Sequence, residues 1–180
     1  ATQLLVENTS ASRLYTLSKS NTFVDVTFTR TTLLADWDSA KIDTEKQKIA
    51  AFKPTIINIA TSSAKIISFS PDETKILYEA TASATIPIVI VPPLIGTNST
   101  TEDRNIKPGK LYVYDSREDK NYFLLDKKEI SGAIHWFPTS KHLLLTLKSK
   151  IDVIEYDRTN WITIYSGPFV DGFVAPWSNG

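Results

Sequence analysis

An internal repeat is the feature of this sequence that most constrains its fold. The motif Phe-Ser-Pro-Asp at residues 69–72 and the motif Phe-Pro-Thr-Ser at residues 137–140 each lead into a largely apolar run, at residues 75–79 and 142–146. The start of the motif recurs as Pro-Trp-Ser-Asn at residues 176–179. Repeats of this length indicate supersecondary units that stack on one another to bury a continuous core.

The spacing of the repeat is typical of the four-stranded blades of a β-propeller. Pro138 and Pro176 are about 38 residues apart, and one four-stranded blade takes roughly 40 residues. Pro71 and Pro138 are about 67 residues apart, and the surplus lies at residues 82–108, which are rich in turn-forming residues. We predict that these residues form an exposed, mobile insertion between two strands, and that deletion of roughly residues 87–107 leaves the fold intact because loop closure costs little.

The order of segments within one unit predicts a strand, a proline turn, two further strands and an outer strand. The pairs Tyr114-Asp115 and Tyr156-Asp157 end the third strands of the two units, and residues 121–125 and 161–165 supply the outer strands. These segments are rich in β-branched and aromatic residues, which favour a pleated, half-buried surface. On this alignment the two Tyr-Asp pairs occupy equivalent positions in neighbouring blades.

The predicted fold class is all-β, a partial β-propeller of about two full blades plus partial blades at each end, with a short helical insertion. The segments are residues 1–30 as the end of an earlier blade, 31–60 as a helical crossover, 61–130 as a blade with the insertion at 82–108, 131–170 as a blade, and 171–180 as the start of a further blade. The helix is predicted at residues 43–52, because Asp43 can cap it and Pro54 lies just beyond its end.

Most of the large apolar side chains are expected to pack between the blades. The predicted core consists of Ile67, Phe69, Ile76, Tyr78, Leu111, Val113, Ile134, Trp136, Leu143, Leu145, Val153, Ile154 and Trp161. A few of the aromatic residues in the last third of the chain could instead form a surface that binds a sugar or a peptide, because rigid aromatic side chains supply contact area. The candidate binding surface consists of His135, Trp136 and Trp177.

The Ser-Pro-Asp turn, the Lys-Ile-Leu-Tyr run at residues 75–78 and the Leu-Tyr-Val-Tyr-Asp strand at residues 111–115 resemble the WD40-like repeats of TolB-type β-propellers. Similar blades occur in the dipeptidyl-peptidase group and in bacterial envelope proteins that carry PEGA modules, although no PEGA module is visible here. The resemblance covers residues 60–180 well, and Glu73 replaces the usual glycine of the turn. It implies a fold rather than a function, and it favours an extracytoplasmic or cell-surface location in bacteria.

Charge and composition narrow the range of partners. Lys plus Arg and Asp plus Glu number 20 each, and a net charge of zero argues against nucleic acid or an anionic membrane as the main partner. The sequence has no apolar run of about 18 residues, so we predict no membrane insertion. Because the chain lacks methionine and stops within a repeat motif, we expect it to be a piece of a longer protein whose remaining blades are partners.

Sequence motifs that carry catalysis are missing. The chain has no cysteine, no Gly-x-Ser-x-Gly, no Gly-x-Gly-x-x-Gly and no P-loop. The two histidines, His135 and His142, do not have the spacing of metal ligands. Asp36, Asp38 and Asp43 lack the glycine and the terminal glutamate of an EF-hand loop. The sequence therefore predicts no enzyme activity, no cofactor and no metal.

Two functions are consistent with this pattern. The first is a non-catalytic propeller scaffold that binds a protein or a cell-envelope polymer through its inter-blade loops, since loops on a rigid frame commonly carry recognition. The alternative is the accessory or gating propeller of a peptidase-type enzyme whose catalytic domain lies outside this chain. A Gly-x-Ser-x-Gly element further along the full-length sequence would distinguish the second function from the first.

Overall fold

The computed structural model describes residues 3–17, 22–169 and 174–176. The chain divides into two units, Ala1–Gln47 and Lys48–Gly180. The first unit contains an antiparallel meander of three strands, β1 (Gln3–Glu7), β2 (Ser12–Thr16) and β3 (Phe23–Asp25). The side-chain oxygen of Asn8 accepts two backbone N–H groups of the residues that follow it, which stabilises the turn between β1 and β2.

Two helices, α1 (Arg30–Ala50) and α2 (Pro54–Ser62), follow the first three strands. α1 begins well before Asp43, so the prediction of a short helix capped by this residue is wrong. No side chain of α1 is buried. A helix that buries no face needs no strong apolar stripe, and without that stripe the sequence does not show where the helix begins. α2 has Pro54 in its first turn, a position that suits proline because the N–H group there has no partner within the helix.

The second unit contains two four-stranded antiparallel sheets. The strands are β4 (Ala64–Phe69), β5 (Lys75–Ala80), β6 (Ala84–Thr85), β7 (Asn105–Ile106), β8 (Lys110–Asp115), β9 (Lys120–Asp126), β10 (Ile130–Trp136), β11 (His142–Leu147), β12 (Lys150–Glu155) and β13 (Ile162–Ser166). The first sheet has the order β4-β5-β8-β9, the second has the order β10-β11-β12-β13, and β6 pairs with β7. The described structure is thus mostly β, as predicted, with two helices.

Apolar clusters cover both faces of the first sheet. On one face, Phe52 and Ile56 pack with Ile76, Tyr78 and Tyr114. On the other face, the two sheets share a cluster made of Leu77, Leu111, Val113, Leu124, Leu125, Leu143, Leu145, Leu147 and Ile154. Removing such side chains from water is the main favourable contribution to folding. The first sheet is therefore the best-buried part of the second unit.

The predicted core is confirmed for all but one of its members. Buried members are Ile76, Tyr78, Leu111, Val113, Leu143, Leu145 and Ile154. Members that are partly buried against the two clusters are Ile67, Phe69, Ile134, Trp136 and Trp161. Val153 belongs to neither cluster. It is adjacent to Ile154 in β12, and since successive strand residues point to opposite faces, its side chain lies on the face away from the shared cluster.

Strand pairing corrects the alignment of the two units. Tyr114 pairs with Ile76 and lies within β8. The corresponding pair of the second sheet joins Leu143 to Ile154, and Tyr156 lies beyond the end of β12. The two Tyr-Asp pairs are therefore not equivalent. The equivalent of Tyr114-Asp115 in the second sheet is Ile154-Glu155, and the Tyr156-Asp157 pair lies two residues further along the chain.

The insertion between β5 and β8 lies where the sequence predicts it, but its ends are not exposed. Ile86 and Ile106 are buried in the cluster on the first face of the first sheet. Ile106 belongs to β7 and pairs with Ala84 of β6. The prediction of an exposed insertion is thus wrong at these two ends, because isolated apolar residues in a segment of turn-forming composition give no sequence signal of burial. That the insertion is dispensable for folding stays a prediction.

Candidate functional site

The middle of the insertion, residues 87–104, is named the insertion loop. It carries the most exposed group of large apolar side chains in the second unit. Ile88 is 58% exposed, Val91 80%, Leu94 48% and Ile95 103%. We call these four residues the apolar tip. Side chains of this kind are normally withdrawn from water, so several of them on one short loop mark a candidate interaction site.

One end of the insertion loop is held by a buried carboxylate. Asp119, in the turn between β8 and β9, accepts the backbone N–H groups of Val89 at 2.7 Å and Ile90 at 3.0 Å. It also accepts the hydroxyl of Tyr114 at 2.9 Å. Asp119 is 3% exposed and has a positive φ of 54°, a conformation that aspartate tolerates better than most residues. The backbone next to the apolar tip is therefore fixed.

The Tyr114 hydroxyl is a donor in this arrangement over the whole ordinary pH range. Burial raises the pKa of Tyr114 well above its usual range, and the neighbouring charge of Asp119 raises this pKa further. Tyr114 is itself part of the cluster on the first face of the first sheet. The carboxylate that holds the insertion loop is thus bonded directly to a side chain of the apolar core.

Arg104 holds the two ends of the insertion loop together. Its guanidinium donates to the carbonyl of Pro87 at 2.9 Å and to the backbone carbonyl of Asp119. The Arg104 Nε atom lies 2.8 Å from a carboxylate oxygen of Glu102. The planar guanidinium can serve several acceptors at once. Arg104 therefore acts as a brace between the loop and the sheet.

The far side of the insertion loop reaches the second sheet. Asp157, in the turn between β12 and β13, accepts the side-chain amide of Asn98 at 2.7 Å and the hydroxyl of Thr100 at 2.8 Å. Burial raises the pKa of Asp157, but hydrogen bonds from Thr159, Asn98 and Thr100 outweigh this effect and keep the pKa below its ordinary value. Lys120 donates to the Asn98 carbonyl. The loop thus bridges the turns of both sheets.

A shallow cleft, open to solvent, lies beside the insertion loop. Ile88, Leu94 and the charged side chains Glu118, Asp119 and Lys120 are among the residues that line it. These charged groups are engaged with the loop: Glu118 accepts the backbone N–H of Asn98 at 3.1 Å, and Asp119 and Lys120 make the bonds described above. The charged side chains that line the cleft therefore hold the loop in place, and they are not arranged around a space for a substrate.

Two of the three residues of the predicted binding surface lie on the second sheet, but on opposite faces of it. His135 and Trp136 are neighbours in β10 and both are half-buried. They point to opposite faces of the sheet, because successive strand residues alternate. The Trp136 ring packs against the cluster between the sheets, and Trp177 lies outside the described residues. His142 lies 3.7 Å from Glu155 in the neighbouring strand.

The acidic residues considered for metal binding are dispersed along α1. Asp36, Asp38 and Asp43 all belong to this helix. Among the described residues, no group of three His, Cys, Asp or Glu side chains could hold a metal ion. Within the same part of the chain, no helix is both long enough and apolar enough to cross a membrane.

The sequence contained one signal for the apolar tip. Residues 86–95 are the longest apolar run of the chain, and three prolines interrupt it. Such a run is too short for a membrane span and too broken for a strand. An apolar run that can form neither is a candidate for an exposed binding loop.

Comparison of the chain with protein-family models, with curated proteins and with solved structures gives no match. The resemblance to TolB-type propellers therefore stays a prediction. The arguments about function rest on the surfaces of the molecule and on the contacts that hold them.

Proposed function

We propose that the chain is a non-catalytic β-propeller-type scaffold that binds another protein through its insertion loop. The architecture that supports this proposal is the stacking of two four-stranded meanders of the same strand order around one apolar cluster. Stacked sheets of this kind form a rigid frame, and loops between their strands are free to carry recognition.

The observation that carries the proposal is the contrast between the apolar tip and its base. Val91 and Ile95 are at least 80% exposed, whereas Asp119 holds the backbone before them at Val89 and Glu118 holds the backbone after them at Asn98. A loop that is already ordered loses less conformational entropy when it binds. Exposed apolar side chains on a fixed loop therefore suit a binding site better than they suit a solvated linker.

The chemistry of the tip favours a protein as the partner over a cell-envelope polymer. All four residues of the apolar tip are aliphatic. Sugar polymers are commonly bound by aromatic faces and polar groups, whereas aliphatic anchors fit apolar pockets on protein surfaces. The alternative of an accessory or gating propeller of a peptidase-type enzyme stays a prediction, and no contact of the described residues favours it.

Site-specific photo-crosslinking tests this proposal. A photoreactive amino acid is placed at position 95 and, as a control, at position 42, because Ile42 is also an exposed aliphatic residue but lies on α1. Crosslinking in cells of the source organism is expected to give one protein adduct that is specific to position 95. Identical adducts at both positions would contradict the proposal.

A binding measurement with the identified partner completes the test. The double variant Val91→Asp, Ile95→Asp is expected to bind at least about tenfold more weakly than the unmodified chain, because buried apolar anchors dominate interface energies. The matched variant Ile42→Asp should bind normally. Equal affinity of all three chains would show that the tip is not the binding site.

A further inference from the structure

The face of the first sheet that meets the second sheet is built from two rows of paired residues and a bulge. Leu77, Val113 and Tyr122 pair across three strands to form one row. Leu111 and Leu125 pair in the next row, and Leu124 is the extra residue at the shift of register between β8 and β9. Paired residues of neighbouring strands point to the same face. All six residues of this covered face are buried.

The second sheet has the same rows on its corresponding face. Leu144, Val153 and Ile162 form the first row. Ile151 and Tyr165 form the second, and Ile164 is the extra residue at a shift of register in the same place. We call these six residues the open face. Each residue of the open face therefore occupies the same position in the strand register of its sheet as one residue of the covered face.

Burial separates the outer strands of the two faces, although Leu144 of the open face is itself buried. Tyr122, Leu124 and Leu125 of the covered face are at most 1% exposed. Their equivalents Ile162, Ile164 and Tyr165 are 59%, 57% and 43% exposed. These are three large apolar side chains on one edge strand, a pattern that proteins normally avoid on a free surface.

A polar pair beside each face shows the same difference. Lys75 and Asp115 lie 3.6 Å apart at the end of the covered face, where both side chains are buried, and the ring of Tyr156 from the second sheet lies 4.8 Å from the Lys75 ammonium group. The equivalent pair of the open face is His142 and Glu155. These side chains are 3.7 Å apart and about a third exposed.

We propose that the open face is an interface that takes a further four-stranded antiparallel sheet of the same repeat. The second sheet shows what such a partner presents to the covered face: Leu143, Leu145, Leu147 and Ile154, together with a turn residue over the polar pair. Sheets that pack face to face interdigitate their side chains in this way over a flat area. The inference does not depend on the role proposed for the insertion loop.

A tandem chain tests the proposal without isolating any part of the protein. The full chain is extended at its C-terminus by a second copy of residues 127–180, which supplies the sheet that fits. Because the natural chain has no cysteine, a single Ile164→Cys substitution in the first copy reports the exposure of the open face through its rate of reaction with a thiol reagent. An Ile95→Cys variant is the control on the apolar tip.

We expect the tandem extension to slow the labelling of Cys at position 164 by at least about tenfold, because a buried thiol reacts only when the structure opens. Labelling at position 95 should not change. A matched tandem with Leu143→Asp and Leu145→Asp in the added copy should leave position 164 as reactive as in the unextended chain.

Three results would overturn the proposal. The first is unchanged labelling at position 164 although the added copy is folded. The second is an added copy that stays unfolded, because a face that fits this sheet would stabilise its folded form. The third is a dimer of the unextended chain that Ile164→Lys dissociates, since the occupant would then be a second copy of the open face.

Discussion

The two four-stranded sheets of the second unit have the same strand order and the same shift of register between their third and fourth strands, yet they differ in how they are covered. The first sheet is packed on both faces, by the segment that contains Phe52 and Ile56 and by the second sheet. The second sheet shares only one face with the apolar clusters. The difference teaches that a repeat fixes which residues point to a face, whereas the neighbouring elements decide whether that face is buried.

Truncation of one side chain at the same place in each sheet gives the largest expected difference between them. Leu124→Ala should lower the free energy of unfolding by about 3 kcal/mol, because it removes buried methyl groups and leaves a cavity. Its equivalent Ile164→Ala should cost about 0.5 kcal/mol or less, since Ile164 is 57% exposed. Urea-induced unfolding, followed by circular dichroism, measures both values.

Equal losses for the two truncations would break the comparison. A large effect of Ile164→Ala would mean that the open face is already covered in the chain as it exists in solution. Ile95→Ala is a useful control, because Ile95 is fully exposed on the insertion loop and its truncation should have almost no effect on unfolding.

The strands of the two sheets could be predicted from sequence because their signals are local. A proline turn followed by an apolar run places β5 and β11 without any knowledge of their neighbours. The cover of each sheet could not be predicted in the same way, since Ile162 and Ile164 are as apolar as Tyr122 and Leu124. Only the packing of other elements makes the two pairs different.

The candidate site was harder to predict than the strands, and for a similar reason. The apolar tip is visible as an apolar run, but its anchors lie far from it in the chain: Asp119 binds Val89 across 30 residues and Asp157 binds Asn98 across 59. Single aspartates in polar turns give no sequence signal of a distant partner. Their role follows only from the fold.

Acid should affect the proline turn of the first sheet more than that of the second. Burial raises the pKa of Asp72, but hydrogen bonds from Ser70 and Thr74 and the charge of Lys75 outweigh it and lower the pKa from 3.8 to about 2. A pKa that is lower in the folded state means that the ionised carboxylate stabilises the fold above pH 3.8. This contribution is lost as the pH falls to about 2.

The variant Asp72→Thr tests this pH dependence, because threonine is the residue at the corresponding position 139 of the second turn. The variant should be less stable than the unmodified chain by about 1 kcal/mol at neutral pH, a value reduced for the solvent exposure of Asp72. The two chains should become equally stable near pH 2. A constant difference between pH 7 and pH 2 would show that the carboxylate charge is not the cause.

The smallest expected effect concerns the backbone of the same two turns. Glu73 and Ser140 have positive φ angles of 57° and 59°, a conformation that costs most residues about 1 kcal/mol relative to glycine. Glu73 stands where the TolB-type repeats that this sequence resembles usually have glycine. Its exposed side chain makes an ion pair with Lys48 at 3.0 Å. Glu73→Gly should therefore raise the free energy of unfolding by about 0.5 kcal/mol, since an exposed ion pair contributes little.

Ser140→Gly should not give the same gain, although the backbone strain is equal. The Ser140 hydroxyl accepts the backbone N–H of Asp72 at 3.0 Å and so joins the two turns, and a hydrogen bond of this kind contributes about 1 kcal/mol. Relief of strain and loss of the bond should roughly cancel. Thermal unfolding of the two glycine variants measures the difference directly. A gain of equal size at both positions would mean that the contact between the turns contributes nothing to the stacking of the sheets.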